Sequence, residues 1–173
     1  MRIICDDERE IVPPDNVGVV LIDMQRLFTE SIEARKRELM ISAQGQIVRS
    51  CATLDIPLVV LEYDGYGQTI RPLVDEITKV PSTILLIKTF DDGFMGTRLH
   101  EVLQGLGVKS LVLMGINASY CVLSTASSAI GLGYKIFVPK STIADPGMHS
   151  ETARSIRWYQ ANGTLFHHGV LAI

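Results

Sequence analysis

Histidine is missing from residues 1 to 99; the chain's 4 histidines are His100, His149, His167 and His168. A cysteine–histidine dyad would therefore have to draw its base from the second half, where His149 is the one rival in a suitable loop. Cysteine is scarce as well. Cys5, Cys51 and Cys121 form an odd, widely spaced set without a C-x-x-C pair, which points away from structural zinc and toward a reducing compartment. Basic charge is not in excess: 16 Lys and Arg face 19 Asp and Glu, a net charge of −3, so no electrostatic footprint for nucleic acid is present. No apolar run reaches membrane-spanning length, and the opening M-R-I-I-C-D-D-E-R-E is too charged for a secretory signal. The expected compartment is the cytoplasm. Internal repeats, a G-x-G-x-x-G after the first strand and a phosphate loop are also lacking, which removes the common nucleotide-binding modules.

What remains is an ordinary soluble composition, 47% hydrophobic over 173 residues, enough for one domain spanning residues 1–173. Residues 1–16 read as an arm: a charged start, then the stiff stretch Val12-Pro13-Pro14-Asp15. Apolar runs at Val17 to Ile22, Pro57 to Leu61, Thr83 to Ile87, Ser110 to Met114, Tyr134 to Val138 and Thr164 to Phe166 predict six strands. Between them lie helical signals. Ile47, Cys51 and Leu54 share one face, which makes Cys51 core packing; a helix is expected over Pro72 to Lys79. Thr97 can cap the helix bearing Leu99, Val102, Leu103 and Leu106, and another covers Ser150 to Ala161. Pro139 to Gly147 reads as a long edge loop. This alternation predicts an α/β fold, a three-layer α/β/α sandwich around a central, mainly parallel six-stranded sheet.

Three polar residues each follow a buried run. Asp23 closes the first strand and Lys88 the third; Cys121 lies just beyond the fourth, after a turn assigned to Gly115, in the first turn of a helix. In a parallel sheet these ends share the carboxyl edge, where open α/β folds bind ligands. A thiol at a helix N-terminus feels the positive end of the dipole, which favours the thiolate. The plain alternatives are that Cys121 is a small buried hydrophobe, that Asp23 caps a turn, and that Asp92 holds Lys88 in a structural ion pair. Read together, Asp23 can take the thiol proton, Lys88 can hold both groups in place, and Cys121 can attack a carbonyl. The backbone N–H groups of Asn117 and Cys121 could receive the oxyanion.

The stretches D-M-Q-R-L-F at Asp23 to Phe28, Lys88 followed by F-M-G-T-R-L at Phe94 to Leu99, and G-I-N-A-S-Y-C-V-L-S-T-A at Gly115 to Ala126 occur in this order. With them the chain resembles the isochorismatase-like cysteine hydrolases, which include nicotinamidases and N-carbamoylsarcosine amidohydrolase, from about Val17 to Asp145. The resemblance implies an Asp23–Lys88–Cys121 triad, a thioester acyl-enzyme, a cis peptide between Ile116 and Asn117, and a dimer or tetramer. It also implies a strand order 3-2-1-4-5-6, whereas convergence of the first, third and fourth strand ends would be simpler for neighbours. Members that cleave a vinyl ether lack the cysteine; this chain keeps it, so cleavage of an amide or ureido C–N bond is expected.

Nicotinamidases carry an Asp-x-His pair and further histidines after the second strand, binding a metal. Here that loop is Tyr63-Asp64-Gly65-Tyr66, leaving at most a two-carboxylate site from Glu62 and Asp64; no metal and no cofactor are expected. Phe28, Tyr66 and Tyr120 are the expected substrate contacts, while Tyr63 and Phe94 fit core packing equally well. The expected partners are a small-molecule substrate and further copies of the chain, with neither nucleic acid nor a membrane. Two other classes compete: a redox or glyoxalase-type cysteine protein, and a non-catalytic binding protein on the same fold.

Overall fold

The computed structural model describes residues 2–4, 10–11, 16–147, 149–166 and 170–172. In chain order the elements are β1 (Arg2–Ile4), β2 (Glu10–Ile11), β3 (Val17–Ile22), α1 (Arg26–Glu30), α2 (Ala34–Leu54), β4 (Leu58–Tyr63), α3 (Arg71–Ile77) and β5 (Thr83–Lys88). They continue with α4 (Leu99–Gly105), β6 (Ser110–Ile116), α5 (Cys121–Gly131), β7 (Lys135–Pro139), β8 (Ile143–Ala144), α6 (His149–Asn162), β9 (Thr164–Phe166) and β10 (Val170–Ala172).

The central sheet runs β5-β4-β3-β6-β7-β9 with every neighbouring pair parallel, and β8 adds a short parallel pairing to the end of β6. Counted along the six main strands this is the order 3-2-1-4-5-6. The first and fourth strands are neighbours, but β4 separates the first from the third. The stretch expected as a loop over Pro139 to Gly147 is more ordered than its composition indicates, because a 3₁₀ turn at Lys140–Thr142 leads into β8.

Alternation along each strand feeds two cores. Val19 and Leu21 of β3, Val60 of β4 and Val112 and Met114 of β6 face one side with Ile47, Val48 and Cys51 of α2. Val20, Ile22, Val59, Leu61, Leu111 and Leu113 face the other, against Leu99 and Leu103 of α4, Val122, Ala126 and Ala129 of α5, and Tyr159 of α6. Both faces are covered, so the strands read as continuous apolar runs; each such side chain contributes about 1.5–3 kcal/mol on burial. Cys51 is fully buried, and burial pushes its thiol up to about 12, consistent with a core role.

Gly115 differs from its expected part. It stays within β6, opposite Ile22 of β3, with φ 138°, and a Cβ there would overlap the Ile22 backbone. Glycine is required for the close approach of two strands, and the chain turns only after the cis peptide Ile116–Asn117. The described part of the N-terminal arm forms strands: β1 pairs antiparallel with both β2 and β10. Val12-Pro13-Pro14-Asp15 lies outside the described residues. Among the described residues no helix is long and apolar enough to cross a membrane.

Candidate active site

Asp23 leaves β3 with φ 53°, a left-handed conformation that Asp tolerates, while its N–H still bonds to the Leu61 carbonyl of β4 at 3.0 Å. The turn aims its carboxylate inward, where it is 1% exposed. Lys88, the last residue of β5, meets it with Nζ 2.7 Å from Oδ2, and both side chains are fully buried. Since β4 intervenes, the two backbones are about 9–10 Å apart, and a long lysine arm spans what a shorter cation would not. The ammonium is 3.1 Å from the Phe90 carbonyl and 3.5 Å from that of Asp91, and it sits 4.2 Å from the centre of the Tyr63 ring. Asp92, the alternative partner, is engaged elsewhere: it accepts from Phe94 N–H and Ser128 Oγ at 2.9 and 2.6 Å.

Cys121 opens α5 and is 5% exposed. Its thiol donates toward Asp91 Oδ1 at 3.6 Å and lies in the field of Asp23 and Lys88. Burial first, then the Asp23 charge, push the thiol up to about 12, with Lys88 pulling the other way. The pull of the helix terminus toward the thiolate is outweighed here by desolvation and a neighbouring anion. Burial also raises the Asp23 carboxyl, against the lowering effects of Lys88 and of the neighbouring Cys121 thiol. The resting thiol therefore keeps its proton, beside a carboxylate made more basic than usual.

The turn between β6 and α5 is clamped from behind. Ala118 N–H bonds to the Ala144 carbonyl of β8 at 2.9 Å, and Tyr159 of α6, fully buried, donates its hydroxyl to the Ala118 carbonyl at 2.6 Å. Asp145 takes both the N–H and the Oγ of Ser119, at 2.8 and 2.7 Å. The Asn117 carbonyl accepts from Tyr120 and Val122 at 3.2 and 3.0 Å. The N–H groups of Asn117 and Cys121 donate to none of the described residues.

An aromatic wall stands next to this edge. Phe28 and Tyr66 have ring centres 4.8 Å apart, and Tyr63 lies 6.3 Å from Phe28 and 5.6 Å from Tyr66. Gln25, completely buried, fastens the loop that carries them: Nε2 donates to the Tyr63 and Gly67 carbonyls at 2.9 and 2.6 Å, and Oε1 accepts from Tyr63 N–H at 2.8 Å. Tyr120 is half exposed. Phe94 turns away, stacking on Tyr134 at 6.0 Å between ring centres.

The Isochorismatase domain model matches residues 17–166. The chain belongs to this family. Among curated members it is 28% identical over 131 residues to a streptothricin hydrolase of Streptomyces noursei, covering 70% of this chain and 47% of that one. It is 40% identical over 68 residues to the ureidoacrylate amidohydrolase RutB of Caulobacter vibrioides, covering 39% and 30%. The matches thus span less than half the length of these curated relatives. The solved structure of the MAR1 ribonuclease of Caenorhabditis elegans superposes with a TM-score of 0.80 at 21% identity, covering 91% of this chain and 79% of that one, a likeness of fold.

In this isochorismatase-family chain the end of β4 and the loop after it carry Glu62 and Asp64, the two carboxylates considered for a metal. Glu62 is buried and accepts the Thr69 N–H at 2.6 Å, Asp64 is exposed, and no group of 3 or more His, Cys, Asp or Glu converges among the described residues. His100 is engaged with the Tyr134 hydroxyl at 2.9 Å; the side chain of His149, and His167 and His168 altogether, lie outside the described residues. Of the site residues expected from the sequence, Asp23, Lys88 and Cys121 come together, and Phe28 and Tyr66 share one wall. Tyr63, for which the sequence leaves pocket wall and core packing even, joins that wall; Asp91, Gln25 and the clamp of Ser119, Asp145 and Tyr159 carry no assignment from the sequence. Gln25 sits inside the quoted D-M-Q-R-L-F motif, which was its only signal.

Proposed function

We propose that this family member is a cysteine hydrolase that cleaves an amide or ureido C–N bond of a small molecule through a thioester on Cys121. The observation that carries the reading is the buried Asp23–Lys88 pair at 2.7 Å beside a thiol whose turn presents two unengaged N–H groups. Asp23 takes the thiol proton as Sγ bonds to the carbonyl carbon, and the oxyanion is received by the N–H groups of Asn117 and Cys121. The C–N bond then breaks and the departing nitrogen takes the proton from Asp23. A water, deprotonated by Asp23, attacks the thioester, releasing the acid and returning the proton to sulfur. Lys88 keeps Asp23 charged and oriented throughout, and the wall of Phe28, Tyr63 and Tyr66 provides apolar contact for the substrate, with Tyr120 at the rim. The streptothricin hydrolase and ureidoacrylate amidohydrolase relatives support the choice of bond.

A redox-sensing cysteine is disfavoured on physical grounds, since such thiols are held as accessible thiolates and this one is buried and pushed up to about 12. We include in the proposal a reducing, cytoplasmic setting, supported by free Cys51 and Cys121, and a homo-oligomer, supported by Leu85 and Ile87 standing half exposed on edge strand β5. The decisive experiment is intact-mass analysis after rapid quenching with a panel of amides and ureides. An acyl increment on Cys121, absent in Cys121→Ser, is expected; turnover without any covalent species, or binding without turnover across the panel, would sink the reading.

A further inference from the structure

Asp91 has no part in the mechanism above, yet it is the carboxylate whose Oδ1 lies 3.6 Å from the Cys121 sulfur. Its place is fixed by the loop that follows β5. The Asp91 carbonyl lies 3.5 Å from the Lys88 ammonium, Asp92 is tied to Phe94 and Ser128, and Gly93 N–H bonds to Thr125 Oγ1 of α5 at 2.9 Å. Beyond Gly93 there is no room to move, because a Cβ there would press on Leu61 Cδ1 at 2.5 Å. The Asp91 side chain is exposed, so it stands between solvent and the buried thiol. Its charge is uncompensated. Asp23 and Lys88 neutralise each other, and among the described residues no ion pair includes Asp91.

Resting on the hydrolase reading, we propose that Asp91 sets the substrate class: the site accepts carbonyl compounds that are neutral or cationic beside the scissile carbon and offer N–H donors there, such as a primary amide, ureido or ammonium group. A nitrogen bonded to the carbon that Sγ attacks falls within hydrogen-bond reach of a carboxylate held this close to Sγ. A substrate with a carboxylate at that point meets a like charge that no cation offsets. Asp91 is thus a specificity residue, separate from the proton transfers of Asp23.

The test uses charge-bearing thiol reagents, so that it reads access to Cys121 independently of turnover. Trimethylammonioethyl and sulfonatoethyl methanethiosulfonate each form a disulfide with the Cys121 thiolate and release methanesulfinate. Their second-order rates are followed by intact mass with Cys121→Ser as the blank. The full chain is expected to favour the cationic reagent, with the cation-to-anion rate ratio falling at least about tenfold in Asp91→Asn and persisting in Asp91→Glu. Raising the salt concentration should compress the wild-type ratio toward that of the variant. A ratio within twofold of wild type in Asp91→Asn overturns the proposal, as does failure of both reagents to label wild-type Cys121. A shifted ratio with no acyl adduct from any amide would uphold Asp91 as a charge filter while refuting turnover.

Discussion

Replacing Lys88 with Met removes the charge and keeps most of the apolar stem, so it isolates the ion pair. In the native chain Asp23 faces the ammonium at 2.7 Å with its side chain 1% exposed, and Oδ1 accepts no hydrogen bond from the described residues. Loss of the partner leaves a buried, uncompensated carboxylate, which costs about 3–5 kcal/mol of folding stability. Asp23 escapes part of this by protonating, each unit of further upward shift corresponding to about 1.4 kcal/mol. The direction with pH follows. The folded Asp23 carboxyl already stands above its unfolded value of 3.8, so between the two the native state binds more protons and stability rises as pH falls. In Lys88→Met that window widens upward. The deficit against wild type, measured by urea unfolding, should be largest near pH 8 and shrink toward pH 5. Asp23→Asn/Lys88→Met, with no charge left to bury, should recover most of the lost stability while remaining inactive. A deficit below about 1 kcal/mol at pH 8, one that grows on acidification, or a double variant no firmer than the single one would refute the account.

The Cys121 thiol, pushed up to about 12 from 9.0 by burial and then by Asp23, should react with iodoacetamide at a rate rising about tenfold per pH unit, with no plateau below about pH 10. Asp23→Asn removes one cause of the elevation and should speed labelling at pH 8; a plateau near pH 7 in the wild type would contradict the assignment. Tyr159→Phe deletes the 2.6 Å bond to the Ala118 carbonyl and should cost about 1–3 kcal/mol by urea unfolding. If the clamp positions the two N–H donors, kcat should fall on the order of tenfold with KM little changed.

What could be read in advance tracks how local each cause is. The strands were legible because a sheet buried on both faces needs unbroken aliphatic runs, and Asp23 and Lys88 stood out as charges ending such runs. Their pairing across β4 was open, since it depends on strand order and on the reach of one side chain. The Cys121 environment is legible only in part: the helix terminus is visible in sequence, whereas desolvation and the Asp23 field arise only after folding. Gly115 reads as a turn residue in the sequence because nothing local announces that β3 passes against it. Asp91, Tyr63 and the Ser119–Asp145 link depend on loop conformation, which no periodicity encodes. The two-residue β8 is too short to leave a pattern at all.

The Gln25 latch has a bearing on how substrate range can change. It grips peptide groups of the aromatic loop, at Tyr63 and Gly67, through hydrogen bonds that involve no ring atom. Mutation is therefore free to exchange the side chains at 63 and 66 while the scaffold beneath holds its course. Insertions or deletions between them would shift the gripped carbonyls out of step and tug on the strand end that bears Asp23, two residues away. New selectivities on this chassis should accordingly arise by repainting the wall and not by lengthening it.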